Sequence, residues 1–316
     1  MAEWKRGTRI ASVLAAAVVA AAPGMPDVYS SSHFALELDG SPAGLLKSIE
    51  GGSVKAEVVT YQTGNKQVAG SAAIGEVVFS FEPPVAAPLK GWIDDALRGV
   101  SSPRDAASVL YSADGRRLSV DEFYGALITE IGFPALDGDS KDAAGMRLRF
   151  KPSATRHKAG SGERVKSAAV PKQKLWTASA FRVSLAGLPT KNVVRVEPFL
   201  VRIPPKPPVP TDNPNGDPVA PPPVEVGNLK WTILGPDVEA WAAWFEDFVV
   251  RGNHADSLEK DGAIELLDDA GAVILTVKLS HVGIFGLSRL APVKGKGGDP
   301  LEVLEVDLYV EAMRLE

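Results

Sequence analysis

The chain states the same structural phrase twice, and that repetition constrains its fold more than any other feature. Phe34-Ala-Leu-Glu-Leu-Asp-Gly40 is a run of alternating apolar and polar residues closed by glycine, and Phe181-Arg-Val-Ser-Leu-Ala-Gly187 is another. A Trp-bearing stretch follows each and ends in Arg-Gly: Trp92 to Arg98-Gly99, then Trp241 and Trp244 to Arg251-Gly252. A β-run then closes on an acidic, glycine-containing turn, Ser112-Ala-Asp-Gly115 or Asp268-Asp-Ala-Gly271. A longer β-run passes through Phe133 or Phe285, and an alternating strand ends each copy. Ordered recurrence of this kind implies one β-rich fold supplying two positions in an assembly.

Composition agrees with two ordinary domains. The chain has 316 residues, 45% of them apolar, enough for a core in each half. The net charge of −5 argues against a dedicated nucleic-acid binder, which carries a basic excess. With no cysteine, disulfides, thiolate metal sites and cysteine nucleophiles are excluded. None of the 4 histidines is spaced from another as in a helical zinc site. No metal or other cofactor is expected.

The first residues stand apart from the repeat. Lys5, Arg6 and Arg9 precede the apolar run Ile10–Ala22. A basic start, a short apolar run and small residues resemble a secretory signal. Residues 1–26 also read as an extension upstream of a start at Met25, or as a retained Ala-rich helix. If residues 1–22 are a signal, the protein is secreted or periplasmic.

Residues 33–39, Val54–Tyr61 and Glu76–Phe81 have strand character. Between the last two, Tyr61 to Gly75 reads as an exposed, glycine-punctuated excursion. Leu89, Trp92, Ile93, Ala96 and Leu97 share one helical face, which predicts a helix covering a sheet, with Trp92 in the core. Residues 106–111 and 117–133 pair across Asp114-Gly115, a strong hairpin signal. The second copy repeats this order: strand Trp231–Ile233, helix Asp237–Val250 with Asp237 at its N-cap or in its first turn, hairpin 263–267 with 273–279, closing strand 301–310. Two stretches interrupt it. Residues 152–176, rich in Lys, Arg, Gly and Ser, read as a basic flexible linker. Residues 204–223, dense in proline, read as an extended insertion replacing the Tyr61–Gly75 excursion.

The order strand, strand, glycine-rich excursion, strand, Trp-helix, hairpin, closing strand resembles the tail-tube protein family of contractile phage tails and related injection systems. Residues 27–151 carry the resemblance best, through Asp27–Gly40, Ile49–Asn65 with its Tyr61-Gln-Thr-Gly-Asn65 entry to a protruding loop, Leu89–Gly99 and Ala126–Leu136 with its aromatic-Pro pair. Residues 177–316 carry it more weakly. The resemblance implies a mainly β fold with flanking helices, as two tandem β-barrel or sandwich domains. It implies assembly by joining sheets around a channel that passes DNA or protein cargo. Two tube-like domains per chain imply a homotrimer forming a pseudo-hexameric ring, a baseplate hub or tube adaptor, with tail tube, spike and baseplate proteins as partners and cytoplasmic assembly. The expected assembly surface is Tyr61, Gly64, Asn65, Val68, Ile74 and Gly75. The competing reading is an exported two-domain β-rich binding protein.

Catalytic readings are weak. Asp94-Asp95 and Asp268-Asp269 read as solvated carboxylates and His281 as an ordinary strand histidine. No nucleophile elbow, P-loop, zincin or dinucleotide motif stands in a supporting context, so the chain is not expected to be an enzyme.

Overall fold

The computed structural model describes residues 33–163, 176–205, 223–295 and 298–316. The expectations for residues 1–26, for 164–175 of the basic stretch and for 206–222 of the proline-rich insertion lie outside the described residues. The N-terminal half runs β1 (His33–Leu38), β2 (Ser41–Leu46), β3 (Ser48–Gly51), β4 (Val54–Thr60), β5 (Lys66–Ile74), β6 (Val77–Phe81), α1 (Ala87–Leu97), β7 (Arg104–Tyr111), β8 (Arg117–Phe133), β9 (Leu136–Asp137), β10 (Met146–Lys151) and β11 (Ala154–Ala159). The C-terminal half runs β12 (Phe181–Leu185), β13 (Val193–Val196), β14 (Phe199–Arg202), β15 (Glu225–Val226), β16 (Leu229–Leu234), α2 (Val238–Phe245), β17 (Lys260–Leu267), β18 (Val273–Lys294) and β19 (Pro300–Leu315). The protein is mainly β.

Local chemistry accounts for the elements. The turns after β7 and β17 place Gly115 at φ 79° and Gly271 at φ 80°, a left-handed conformation that a β-carbon disfavours. Helix α1 starts behind Pro88, which is tolerated in a first turn, and buries Leu89, Trp92, Ile93, Ala96 and Leu97, the face set by the 3.6-residue period. Trp92 lies 5.9 Å from Phe150, itself 4.7 Å from Phe79. In the other half Trp241 of α2 lies 5.9 Å from Trp231 of β16. Each half thus packs a helix tryptophan over aromatic side chains of its sheet.

The two main sheets run through their strands in the same order. One contains β1-β7-β8-β10-β6-β3; the other contains β12-β17-β18-β19-β16-β13. The agreement extends to single residues. Gly125 in β8 and His281 in β18 both adopt positive φ, 55° and 54°. The Gly125 N–H donates to the Asp105 carboxylate at 2.8 Å, and the His281 N–H donates to the Asp261 carboxylate at 3.3 Å. A register shift follows in each long strand, at Thr129 between Ile128 and Glu130 and at Phe285 between Ile284 and Gly286.

The structure departs from the sequence expectations at three places. Residues 154–159, expected within the linker, form β11 on the edge of β8. The excursion after Tyr61 is an ordered arm, β5, paired with β4. The aromatic-Pro pair Phe133-Pro134 ends β8 rather than lying inside it. Asp237 does stand at the N-cap of α2, as expected, while its carboxylate serves elsewhere, accepting from the Asn192 N–H at 3.0 Å.

Candidate assembly surface

The halves are sewn together by strands. Along one edge of β8, β7 occupies the first part, and β14 from the other half occupies the end. The register sets Phe199 opposite Phe133, Leu200 opposite Gly132, Val201 opposite Ile131 and Arg202 opposite Glu130. The Ile203 N–H continues it, donating to the Thr129 carbonyl at 2.9 Å. Phe133 and Phe199 stack with centroids 4.5 Å apart, and Val201 and Ile131 are both fully buried. Full burial of such a side chain contributes about 1.5–3 kcal/mol, so the seam is a true core junction. Residues from both halves accordingly belong to one apolar cluster.

The exchange is reciprocal. From the N-terminal half, β9 pairs with β13, and Asp137 receives a 2.6 Å ion pair from Arg195. Trp176 donates its indole N–H to the Leu267 carbonyl at 3.1 Å, while its own carbonyl accepts from Ala144 at 3.2 Å. Asp94, read as solvated, instead locks α1 to the C-terminal strand. It accepts from the Arg314 guanidinium at 3.0 Å and from the Leu315 N–H at 3.1 Å. Burial pushes its carboxyl upward, but these bonds and the charges of Arg314 and Arg98 outweigh that and hold it below the usual carboxylate range.

The six residues expected at an assembly surface all lie on the β4–β5 hairpin. At its tip the Gly64 N–H donates to the Tyr61 carbonyl at 2.8 Å and the Tyr61 N–H to the Asn65 carbonyl at 2.9 Å. Val68 on β5 is 69% exposed. Ile74 and Gly75 form the base, where the Gly75 N–H donates to the Ser53 carbonyl at 2.8 Å. Ile74 is half-buried and faces Val54 across the pair. Among the described residues this hairpin pairs with no other strand.

Sequence reasoning missed a second exposed strip. Beyond Val282, β18 pairs only with β19, which leaves its other edge without a strand partner among the described residues. Phe285, Leu290 and Val293 are each 45% exposed there. The uninterrupted length of β18 was the available signal. It also missed a cluster in which Glu259, His281 and Glu311 bring ligand atoms within 4.8 Å of one another. Such a set suits a divalent cation by residue type. Glu259 is already engaged, accepting from the Tyr309 hydroxyl at 2.5 Å and lying 3.0 Å from His281 Nδ1. Burial, then the bond to Glu259, pushes the Tyr309 phenol well above its usual value. Asp268, also weighed as an acid or base, accepts from the backbone N–H groups of Ala270 and Ala272 and shapes the turn. No described helix is long and apolar enough to cross a membrane.

No protein-family model and no curated protein matches the chain. Solved structures with partial likeness include the anti-feeding prophage cap (the AFP tube-terminating cap), 16% identical with a TM-score of 0.36, over 46% of this chain and 99% of that one. An extracellular contractile injection system, PVC, offers two more. Its sheath/tube terminator is 18% identical with a TM-score of 0.35, over 44% of this chain and 100% of that one. A chain of its sheath-tube complex is 16% identical with a TM-score of 0.34, over 43% and 93%. Likenesses of this strength fix neither the fold nor the role of this chain.

Proposed function

We propose that this protein is a structural component of a contractile, phage-tail-like particle, a hub or tube–baseplate adaptor. In this reading its two halves are tandem tube-like domains, and three chains close a pseudo-hexameric ring around a lumen for DNA or protein. The observation that carries the proposal is the seam: two sheets of identical strand order stand side by side and share strands, as neighbouring segments of one ring would. The resemblance of residues 27–151 to tail-tube proteins supplies the particle class. The engagement of Asp94, Asp268 and Glu259 in structural bonds favours a non-catalytic role. A basic start and short apolar run before residue 23 favour the second reading, an exported two-domain binding protein. Negative-stain imaging of the purified full chain, with and without a tail-tube partner, tests between them. Six-lobed rings that stack on tube ends are expected. A chain that stays monomeric and carries a cleaved N-terminus in its native host would contradict the ring and support export.

A further inference from the structure

The seam inside the chain is a template for a second seam between chains. The β14–β15 pair and the β4–β5 pair occupy the same place in their halves. Each follows the last strand of the shared order after a two-residue step, β3 to β4 and β13 to β14, and each returns into the strand beside it, β6 or β16, after another. Their registers coincide: Val54 faces Ile74 as Val201 faces Val226, and Lys55 faces Ala73 as Arg202 faces Glu225. The base bond coincides as well, Gly75 N–H to Ser53 carbonyl against Gly227 N–H to Leu200 carbonyl, both 2.8 Å.

What differs is occupancy. The β14 arm lies on the free end of β8, and its Val201 is fully buried. The β4 arm has no strand partner besides β5 among the described residues, and its Val54 is 54% exposed. The strand that corresponds to β8 is β18, and the end of β18 beyond its own left-handed residue has a bare edge. An edge without a strand partner and an arm without one, on different halves of the chain, can be paired by a second copy.

We infer that Ser53–Ala56 of one copy adds as an antiparallel strand to the edge of β18 that lacks a strand partner among the described residues, Phe285–Ser288, in a second copy. Transferring the internal register sets Ser53 opposite Ser288, Val54 opposite Leu287 and Lys55 opposite Gly286. This deepens the ring reading and rests on it. Charge agrees with the register. In the internal seam Arg202 meets the Glu130 carboxylate at 3.7 Å. Gly286 has no side chain, but the Asp307 carboxylate lies where its β-carbon would be, 2.5 Å away. Lys55 therefore meets a carboxylate at the same place, supplied by β19. Because arm and edge are different surfaces, the contact is head-to-tail and builds a ring or a filament.

The absence of cysteine makes the test direct. Ser53 and Ser288 are exposed and correspond to Leu200 and Gly132, where the Leu200 side chain lies 3.3 Å from a β-carbon built on Gly132. The bond from Ile203 to Thr129 makes theirs a closely spaced, non-hydrogen-bonded pair, suited to a disulfide. S53C/S288C protein is oxidised and run on a non-reducing denaturing gel, with native mass measured in parallel. Loss of the monomer band into a reducible ladder ending at three chains is expected. Each single variant, and the out-of-register pair S53C with Leu290→Cys, should give no ladder. Native trimers without S53C/S288C cross-links overturn the register and leave the ring standing. Cross-links running past three chains uphold the register and overturn the three-chain ring. Monomers without cross-links overturn both.

Discussion

Single residues decide how firmly the two halves are joined. Asp94 holds Arg314 and the Leu315 N–H from a partly buried position, so Asp94→Ala should lower stability by about 1–2 kcal/mol in a denaturant titration. The sign of its pH dependence follows from a folded-state pKa below the unfolded value. Its contribution is complete above the unfolded pKa of about 3.9 and disappears as pH falls through the lowered folded value. Asp94→Asn should therefore flatten the acid limb of the stability curve below about pH 4 while leaving the curve parallel to wild type above pH 6. An unchanged acid limb would show that the carboxylate does no work at this contact. At the seam itself, Phe199→Ala removes a buried ring stacked on Phe133, and a loss of about 3–5 kcal/mol is expected on thermal or denaturant unfolding. The sequence alone did not disclose either role. Asp94 looked solvated because Arg314 and Leu315 stand more than 200 positions away, and Phe199 sits in a short strand that pairs with β8 of the other half.

Among the elements, those with a strong internal period were legible and those defined by their neighbours were not. The α1 face Leu89–Leu97 could be read because burial follows the helical period, and the β7–β8 hairpin because Asp114-Gly115 demands its turn. Strand β11 was hidden. Its residues Ala154–Ala159 are largely exposed and hold β8 through His157 with Asp121 at 2.7 Å and Lys158 with Glu122 at 2.5 Å, so its composition matches that of a linker. Strand β5 was hidden for the opposite reason: its glycine and small residues suit an arm with no partner on its outer face. That difference predicts a separation of folding from assembly. Val68→Asp, on the exposed arm, should change stability by no more than about 0.5 kcal/mol yet abolish rings in negative stain. Phe79→Lys, at a fully buried position in β6, should abolish folding, seen as loss of near-ultraviolet dichroism. If Val68→Asp also unfolds the protein, the hairpin is part of the core and not an assembly arm.

At the scale of the whole molecule, the account rests on one geometric claim: the chain is two consecutive segments of a closed ring. In that reading, the pairing of β14 on β8 is one junction made internally, and β4 on β18 of another copy is the proposed second. Closure pairs the β4 arm with the β18 edge, two surfaces without another strand partner among the described residues, and pairing is how sheet edges avoid uncontrolled association. The sequence repeat points to two units, but the exchange of strands between the halves depends on pairings that no local pattern encodes. Native mass spectrometry of the full-length chain across a dilution series tests closure most directly. The account predicts a dominant species at three times the mass of the 33.3 kDa chain, with no four-chain or longer series. A monomer at every concentration, or an open ladder of multiples without a maximum at three, would contradict it.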